Sequence, residues 1–530
     1  MSAAAQGQAG FMEHASWRPR VNPWWIAPAV MLATFMEVLD TSIASVALPY
    51  IAGNLGATPS EATWVLTSYL VSNAIVLPAS SWFSRFFGRK RFLIGCIVLF
   101  SISSFFCGAA RSLPLLIVAR VMQGAGGGAL QPLAQSIMLE SFPPAQRGAA
   151  MAVYGIGVVC APILGPTLGG WLTDTWSWRW AFYINIPVSI LAIFLISLVV
   201  EDPPYIRNAR PGRIDGIGFG LMAVGLGALQ ITLDKGQEVG WFGASWLRWV
   251  AGISVGSLLA FVCWELRAKE PIVNLRILKN RNFGIGCGLF FLFGAAIYGM
   301  VTLQPLFLQT LMGYTALDAG LTVSPRGVGA FCALLVVGSL IGRLGGRKLA
   351  AMGFIIFSAS VFLFARLTLQ VSMSNIVPAN ILNGFGAGVI VVPLTTVSLA
   401  TLRNDQIGNA AGIQNLVRNI GGSVGISFVA TMLERFSQSH QVFMTARYSP
   451  LSPIYRQHVG SLQRFLQTRY SAVDARERAQ AILYNVLHQQ AGYWAFIDLF
   501  YSFMWMGIGC AVAVWFLKYV KPAGPALGAH

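Results

Sequence analysis

The chain is 530 residues long, 55% hydrophobic and only 10% charged, with a mean hydropathy of +0.64. Soluble domains carry about 25% charged residues, so no water-soluble fold could hide this much apolar surface; the chain is a polytopic membrane protein. Its net charge of +17 is spread over short loops between apolar runs, which argues against a nucleic-acid surface and for positive-inside topology.

Residues 1–23 are polar, carry Arg18 and Arg20, and lack a short apolar core with a small-residue cleavage site. No cleavable signal peptide is expected there; the first span acts as the insertion signal. Fourteen apolar segments follow, near 25–48, 63–82, 92–110, 114–137, 148–170, 181–200, 215–234, 246–266, 283–308, 319–341, 349–370, 377–400, 409–433 and 493–518. Each is close to the roughly 20 residues that a spanning helix needs.

The first span holds Asp40 near its middle, with no Lys or Arg between Pro23 and Pro49. A carboxylate at that depth costs on the order of 3 kcal/mol, and its commonest use is proton uptake and release on a transport path. Glu37 lies three residues earlier on the same helix face, so the two acids form a candidate titrating unit. Span four contains Arg120, which needs a partner inside the membrane, followed by Gln123 and a glycine run. Span five combines Gly155, Gly165, Gly169 and Gly170 with Pro162 and Pro166. The glycines offer a surface without side chains, and the prolines remove backbone hydrogen bonds and bend the helix.

Beyond the middle, Arg418 lies about nine residues into span thirteen and reads equally as cavity lining or as a structural ion-pair member. Arg326 and Arg366 fall nearer an outer edge, where long side chains snorkel. Asp498, near the outer end of span fourteen, is expected to meet water. Trp171, Trp176, Trp178 and Trp180 read as an interfacial belt. The segment 434–492 is polar and rich in Gln and Arg. It is expected to be a long outer loop with an amphipathic helix near 472–490, serving as a solvated cap or a docking surface.

With the N-terminus inside, the inner segments hold 21 basic residues, and the short outer loops hold only Arg111, Arg179 and Lys235. An even number of spans puts both termini in the cytoplasm. The chain also repeats itself. Residues 81–91 resemble 338–348 at an offset of 257, and 123–128 resemble 383–388 at an offset of 260. Repeated halves around a midplane site describe alternating access. The expected organisation is a cytoplasmic tail at 1–24, a six-helix bundle at 25–200, two linker helices with their loops at 201–282, a second bundle at 283–518 that includes 434–492, and a tail at 519–530.

Other classes find little support. There is no GxxxxGK[ST], so ATP does not drive this chain, and no HExxH. The five His (14, 440, 458, 488, 530) lie outside the spans and form no Ser/His/Asp set, which leaves a lipid-modifying enzyme a remote alternative. The repeat and the buried charges argue against a passive channel. The seven Cys show no metal-ligand spacing and read as packing residues.

The motifs together resemble the fourteen-span drug:proton antiporters of the major facilitator superfamily, in particular the Emr-type multidrug efflux permeases of Gram-negative bacteria. The first span, through Leu39-Asp40 to Val46-Ala47-Leu48-Pro49, is similar to the family's L-D-x-T-x-x-N-V-A-L-P, with Ser45 in place of Asn. The loop 81–91 is similar to G-x-L-a-D-r-x-G-r-k: Gly88, Arg89 and Lys90 match, while Arg85 stands where the family has Asp. That replacement takes away the acid of a charge-pair gate and leaves the basic residues a topological role. Arg120 to Gly124 is similar to R-x-x-q-G, and Gly165 to Gly170 to the antiporter motif G-P-x-x-G-G.

The resemblance implies an all-helical major facilitator fold of two six-helix bundles plus two extra helices. It implies proton coupling through Asp40, Glu37 and Arg120, a gating loop at Gly88, Arg89 and Lys90, and a cavity reached by Gln123 and Arg418. It further implies export of hydrophobic drugs or toxic compounds across the inner membrane without a cofactor, together with a periplasmic adaptor and an outer-membrane channel. Export of an endogenous lipid-like or acidic metabolite is the close alternative.

Overall fold

The computed structural model describes residues 19–57, 59–62, 64–143, 146–203, 215–268, 271–402, 406–448 and 452–518. Among these there is no strand. Thirteen helices are long and apolar enough to cross a membrane. The second expected span, 63–82, lies in a further helix whose apolar stretch, Trp64–Ser80, is shorter. The basic residues Arg207, Arg210, Arg213 and Lys269 and most of both tails lie outside the described residues.

The N-terminal half begins with α1 (Pro23–Leu55), α2 (Trp64–Phe87) and α3 (Arg89–Ala109). Span four is divided at Gly128 into α4 (Leu113–Gly127) and α5 (Leu130–Ser141). The half closes with α6 (Arg147–Thr175) and α7 (Asn185–Val199). The ends of α1 have local reasons. Asn22 accepts from the Trp24 amide ahead of Pro23 at the first turn, and Gly56 ends α1 in the left-handed region at φ 63°. The C-terminal half holds α10 (Arg281–Thr310), α11 (Ala316–Val323), α12 (Arg326–Leu344), α13 (Gly346–Ala365), α14 (Met373–Leu399), α15 (Ile407–Arg447) and α17 (Ala472–Ala513). The short α16 (Pro453–Leu466) precedes α17.

Each half has its own apolar core: Met36, Tyr69, Phe100 and Leu133 pack in the first, and Phe293, Phe354, Phe357 and Phe500 in the second. The two inserted helices, α8 (Gly216–Lys235) and α9 (Ser245–Arg267), sit beside a seam. Met222, Leu226 and Phe261 join Ala79 of α2 to Phe283, Ala410 and Ile413 of the second half. The halves meet along two lines: α6 lies against α11, α12 and α14, and α15 lies against α2 and α5.

The segment 434–492, expected as an outer loop with a helix near 472–490, is mostly helical among the described residues, and the expected helix is the start of α17. Helix α15 continues unbroken for 41 residues, about 60 Å against a hydrocarbon core of about 30 Å, and α17 runs for 42 residues. Polarity misled the sequence reading here: the extension is polar because water surrounds it, while helix propensity carries both spans outward. Over its first two dozen residues α17 buries only a narrow alanine row, Ala475, Ala479, Ala491 and Ala495, before the larger Phe496, Leu499, Phe500 and Phe503 take over. Nearby, His440 of α15 and Asp498 of α17 pair at 2.7 Å, with the Asp498 side chain 41% exposed. Of the expected tryptophan belt, Trp171, Trp176 and Trp180 are exposed, but Trp178 is buried and packs edge-on against Phe182.

Candidate proton and substrate site

Asp40 lies in the middle of α1 and is fully buried, as is Arg120 of α4. The Arg120 Nη1 donates to Asp40 Oδ2 at 2.6 Å, and its Nε donates to the carbonyl of Val65 at 2.9 Å. The guanidinium lies 4.3 Å from the centre of the Tyr69 ring. Gln123, one turn along α4, accepts from Arg120 Nη1 at 2.7 Å and donates to Asp40 Oδ1 at 2.9 Å. Asn185 at the start of α7 donates to the same Oδ1 at 2.6 Å. Ser104 of α3 receives both amides, from Gln123 at 3.0 Å and from Asn185 at 2.9 Å. One carboxylate therefore ties α1 to α4 and α7, with α3 and α2 in support. A buried pair away from water needs its remaining donors and acceptors engaged. This network engages both Asp40 oxygens and the Arg120 Nε and Nη1, and leaves Arg120 Nη2 and Asn185 Oδ1 without a hydrogen-bond partner among the described residues.

Glu37 is also buried but belongs to a separate network. Its Oε1 accepts from Asn73 at 3.1 Å and from the Tyr69 hydroxyl at 3.3 Å, and its Oε2 accepts from Gln131 Nε2 at 2.7 Å. No hydrogen bond joins the two acids. Tyr69 stands between them, its hydroxyl on Glu37 and its ring beneath Arg120. The spacing placed both acids on one face of α1, but their side chains serve different neighbouring helices.

Gln131 of α5 turns this second network toward the other half. Its carbonyl oxygen accepts from Arg418 Nη2 at 2.7 Å while its amide nitrogen faces Glu37. The amide dipole thus lies between a carboxylate and a guanidinium in the sense that both charges favour. One turn along, Asn415 Nδ2 donates to Gln135 Oε1 at 3.1 Å. Arg418 forms no ion pair among the described residues, and its Nε has no hydrogen-bond partner. Of its two readings, the geometry places it on the seam between the halves.

Helix α6 carries the glycine motif and is held from both sides. A Cβ at Gly165 would lie 2.3 Å from Ser42 Oγ, and one at Gly169 would lie 3.2 Å from the Ile43 Cα, so α1 and α6 touch almost backbone to backbone. Pro166 has no N–H to offer the carbonyl of Pro162, and Ser42 Oγ donates to that carbonyl at 3.2 Å. On the opposite side, Gly155 faces Leu334 at 3.3 Å and Gly170 faces Leu317 at 3.9 Å, both in the second half.

The loop at Gly88 does not reach the other half among the described bonds. Gly88 takes φ 83°, a left-handed conformation that suits glycine. Arg89 forms a two-pronged pair with Glu140 of α5, and the Lys90 amide donates to Asp202 at 2.9 Å. Arg85 does remove one acid from this loop, but Glu140 and Asp202 supply others from distant positions, so the basic residues do more than set topology. Arg326 does not snorkel: it is 6% exposed and donates to Gln304 Oε1 at 2.7 Å. Arg366, by contrast, is exposed. Sequence reasoning also missed Ser104, Asn185, Tyr69, Asn73 and Gln131. Their signal was a polar side chain inside an apolar run, which is too common in membrane helices to single them out.

Residues 30–426 match the model of the Major Facilitator Superfamily. Multidrug export protein EmrB of Escherichia coli K12 is 35% identical over 502 residues, covering 94% of this chain and 95% of that one. Fatty acid resistance protein FarB of Neisseria gonorrhoeae is 37% identical over 434 residues, covering 81% and 84%. Among solved structures, the proton:xylose symporter XylE superposes with a TM-score of 0.58 at 16% identity, covering 94% of this chain and 97% of that one. That likeness speaks for the fold alone. The chain belongs to the major facilitator superfamily. It is a multi-pass membrane transporter and not an enzyme.

Proposed function

We propose that this protein exports hydrophobic drugs or toxic compounds across the bacterial inner membrane in exchange for protons, by alternating access. The observation that carries this reading is the enclosed Asp40–Arg120 pair. In low dielectric the pair is strong only while Asp40 is ionised, and protonation leaves Arg120 with the Val65 carbonyl, Gln123 and the Tyr69 ring. Two residues further along α1, Ser42 and Ile43 lie under the glycines of α6, which borders the second half. A change in the hold of Arg120 on α1 is thereby passed to the seam. Glu37, Gln131 and Arg418 form a second route to the same seam, through α5 and α15.

The energy source in this reading is the proton gradient, with no cofactor. Both termini face the cytoplasm, and the α15–α17 extension reaches into the periplasm. There it meets a membrane-fusion adaptor that leads to an outer-membrane channel. The name of EmrB, a multidrug export protein, supports export, and that of FarB, a fatty acid resistance protein, supports an amphiphilic acid among the compounds handled. An amphiphilic acid as substrate is favoured by one observation: Arg418, without an ion pair among the described residues, lies on the seam and holds only Gln131. The test is uphill export in proteoliposomes with an imposed pH gradient, using wild type and Asp40→Asn. Loss of accumulation in the variant is expected; undiminished accumulation removes Asp40 as the coupling site.

A further inference from the structure

The internal repeat extends from sequence to individual contacts. A Cβ at Gly124 of α4 would meet the Tyr69 carbonyl, and one at Gly384 of α14 would meet the Arg326 carbonyl. Gly128 faces the Asn73 carbonyl as Gly388 faces that of Ala330, and Gly126 faces the Phe100 amide as Gly386 faces that of Phe357. Every one of these pairs is offset by 257 or 260 residues. Gly88 at φ 83° ψ 149° and Gly345 at φ 78° ψ 147° share one backbone conformation. The polar network is matched at similar, though not identical, spacings. Gln304 stands 264 residues after Asp40, Asn380 260 after Arg120, Asn383 260 after Gln123, and Ser360 256 after Ser104.

The bonds repeat as well. Gln304 Nε2 donates to Asn380 Oδ1 at 2.7 Å, in the place of the Asp40–Arg120 contact. Asn380 Nδ2 donates to the Thr322 carbonyl at 2.9 Å, as Arg120 does to Val65, and Asn383 donates to Ser360 Oγ at 2.9 Å, as Gln123 does to Ser104. What differs is the charge. The acid has become an amide, and the span-four cation has become another amide. A cation enters instead from the facing helix: Arg326, at the position of Tyr69, donates to Gln304 at 2.7 Å.

We infer that the C-terminal half carries a non-titrating copy of the proton network, in which Gln304 occupies the place of Asp40 and Arg326 holds a fixed positive charge. Proton exchange is thereby confined to the N-terminal half, and Gln304 and Arg326 act as positioning residues that clamp α10, α12 and α14 in every state of the cycle. This inference rests on the reading of Asp40 as the coupling site. Around Asp40 the titratable neighbours are Arg120, Tyr69 and Cys107, with Glu37 beyond Tyr69. Around Gln304, Arg326 is the only charged group among the described hydrogen-bond partners. Asp318, the nearest acid along the chain, engages Thr315 at the exposed start of α11.

The experiment measures export of ethidium from proteoliposomes as a function of pH, on folded, monodisperse protein. Gln304→Met and Arg326→Gln are expected to retain the wild-type pH midpoint within about one unit, whatever they do to the maximal rate. Gln304→Glu places an acid beside Arg326 and is expected to add a second pH-dependent step; the double variant Gln304→Glu with Arg326→Gln then moves that step to higher pH. A flattened profile in Gln304→Met or Arg326→Gln overturns the inference, and so does a Gln304→Glu profile that matches wild type. Asp40→Asn is run beside them. Undiminished coupling there sinks the coupling role of Asp40, whereas the Gln304 and Arg326 variants judge the copy by themselves.

Discussion

Asp40 and Glu37 divide the work of one helix turn between two networks, and the division makes separable predictions. Asp40→Asn keeps the shape of the side chain and mimics a permanently protonated acid, so uphill export falls by about tenfold or more while binding persists. Transport in proteoliposomes and substrate quenching of intrinsic fluorescence check the two parts. Ser104→Ala removes the hydroxyl that receives the amides of Gln123 and Asn185. It is expected to destabilise by about 1–2 kcal/mol, read as a lower thermal midpoint, without flattening the pH profile. Gln131→Leu severs the bridge from Glu37 to Arg418. It leaves the buried Glu37 and the half-buried Arg418 each short of a partner and slows export more than it lowers binding. Equal losses in both would return Gln131 to a packing role.

At the scale of elements, the proposed alternating access runs through the contact between α1 and α6. Helix α1 presents Asp40 to α4, Glu37 to α2 and α5, and Ser42 and Ile43 to α6. Glycines in α6 allow that last contact at backbone distance. Gly165→Val puts a branched side chain where a first carbon already lies 2.3 Å from Ser42 Oγ, so α1 or α6 must shift. Export should fall by about tenfold or more, since geometry two residues from Asp40 is displaced. Gly170→Ala meets only Leu317 at 3.9 Å, an ordinary contact, and should export at close to the wild-type rate. A reversed order of these two variants would refute the proposed role of the α1–α6 contact.

For the whole molecule, the α15–α17 extension sets this chain apart from a bare pair of bundles. Its surface leaves large apolar groups exposed, with Phe465 74% exposed and Val473 69% exposed, and in the proposed topology it projects beyond the membrane. Exposed apolar groups beyond the membrane mark a contact surface. Phe465→Glu and Val473→Glu should leave export by the isolated protein in proteoliposomes unchanged, because neither residue is near the seam. In cells with a co-expressed adaptor the same variants should lose drug resistance and adaptor co-purification. Full resistance without any adaptor would count against the tripartite arrangement.

The membrane spans and the buried acid of the first one were legible in the sequence because the information is local. Hydropathy over about 20 residues defines a helix in lipid, and an acid inside such a window stands out alone. Pairing was only partly legible. Arg120 was a candidate partner for Asp40 because an intramembrane cation needs one, but the Asn185 and Ser104 that complete the network come from α7 and α3 and carry no charge to draw notice. In segment 434–492 the helix near 472–490 was legible, while the continuation of α15 to Arg447 was not, because polarity marks solvent, not helix ends. Arg326 was misread as snorkelling because depth along the chain does not say which way a side chain turns. The sequence by itself determined a polytopic, two-fold repeated transporter with an acid in its first span. Only the tertiary structure decided that Glu37 and Asp40 serve different networks, that Arg418 reaches Gln131 across the seam, and that the second half repeats hydrogen bonds of the Asp40 network around an amide in place of the acid. Those facts depend on contacts between residues far apart in the chain, which no local pattern encodes.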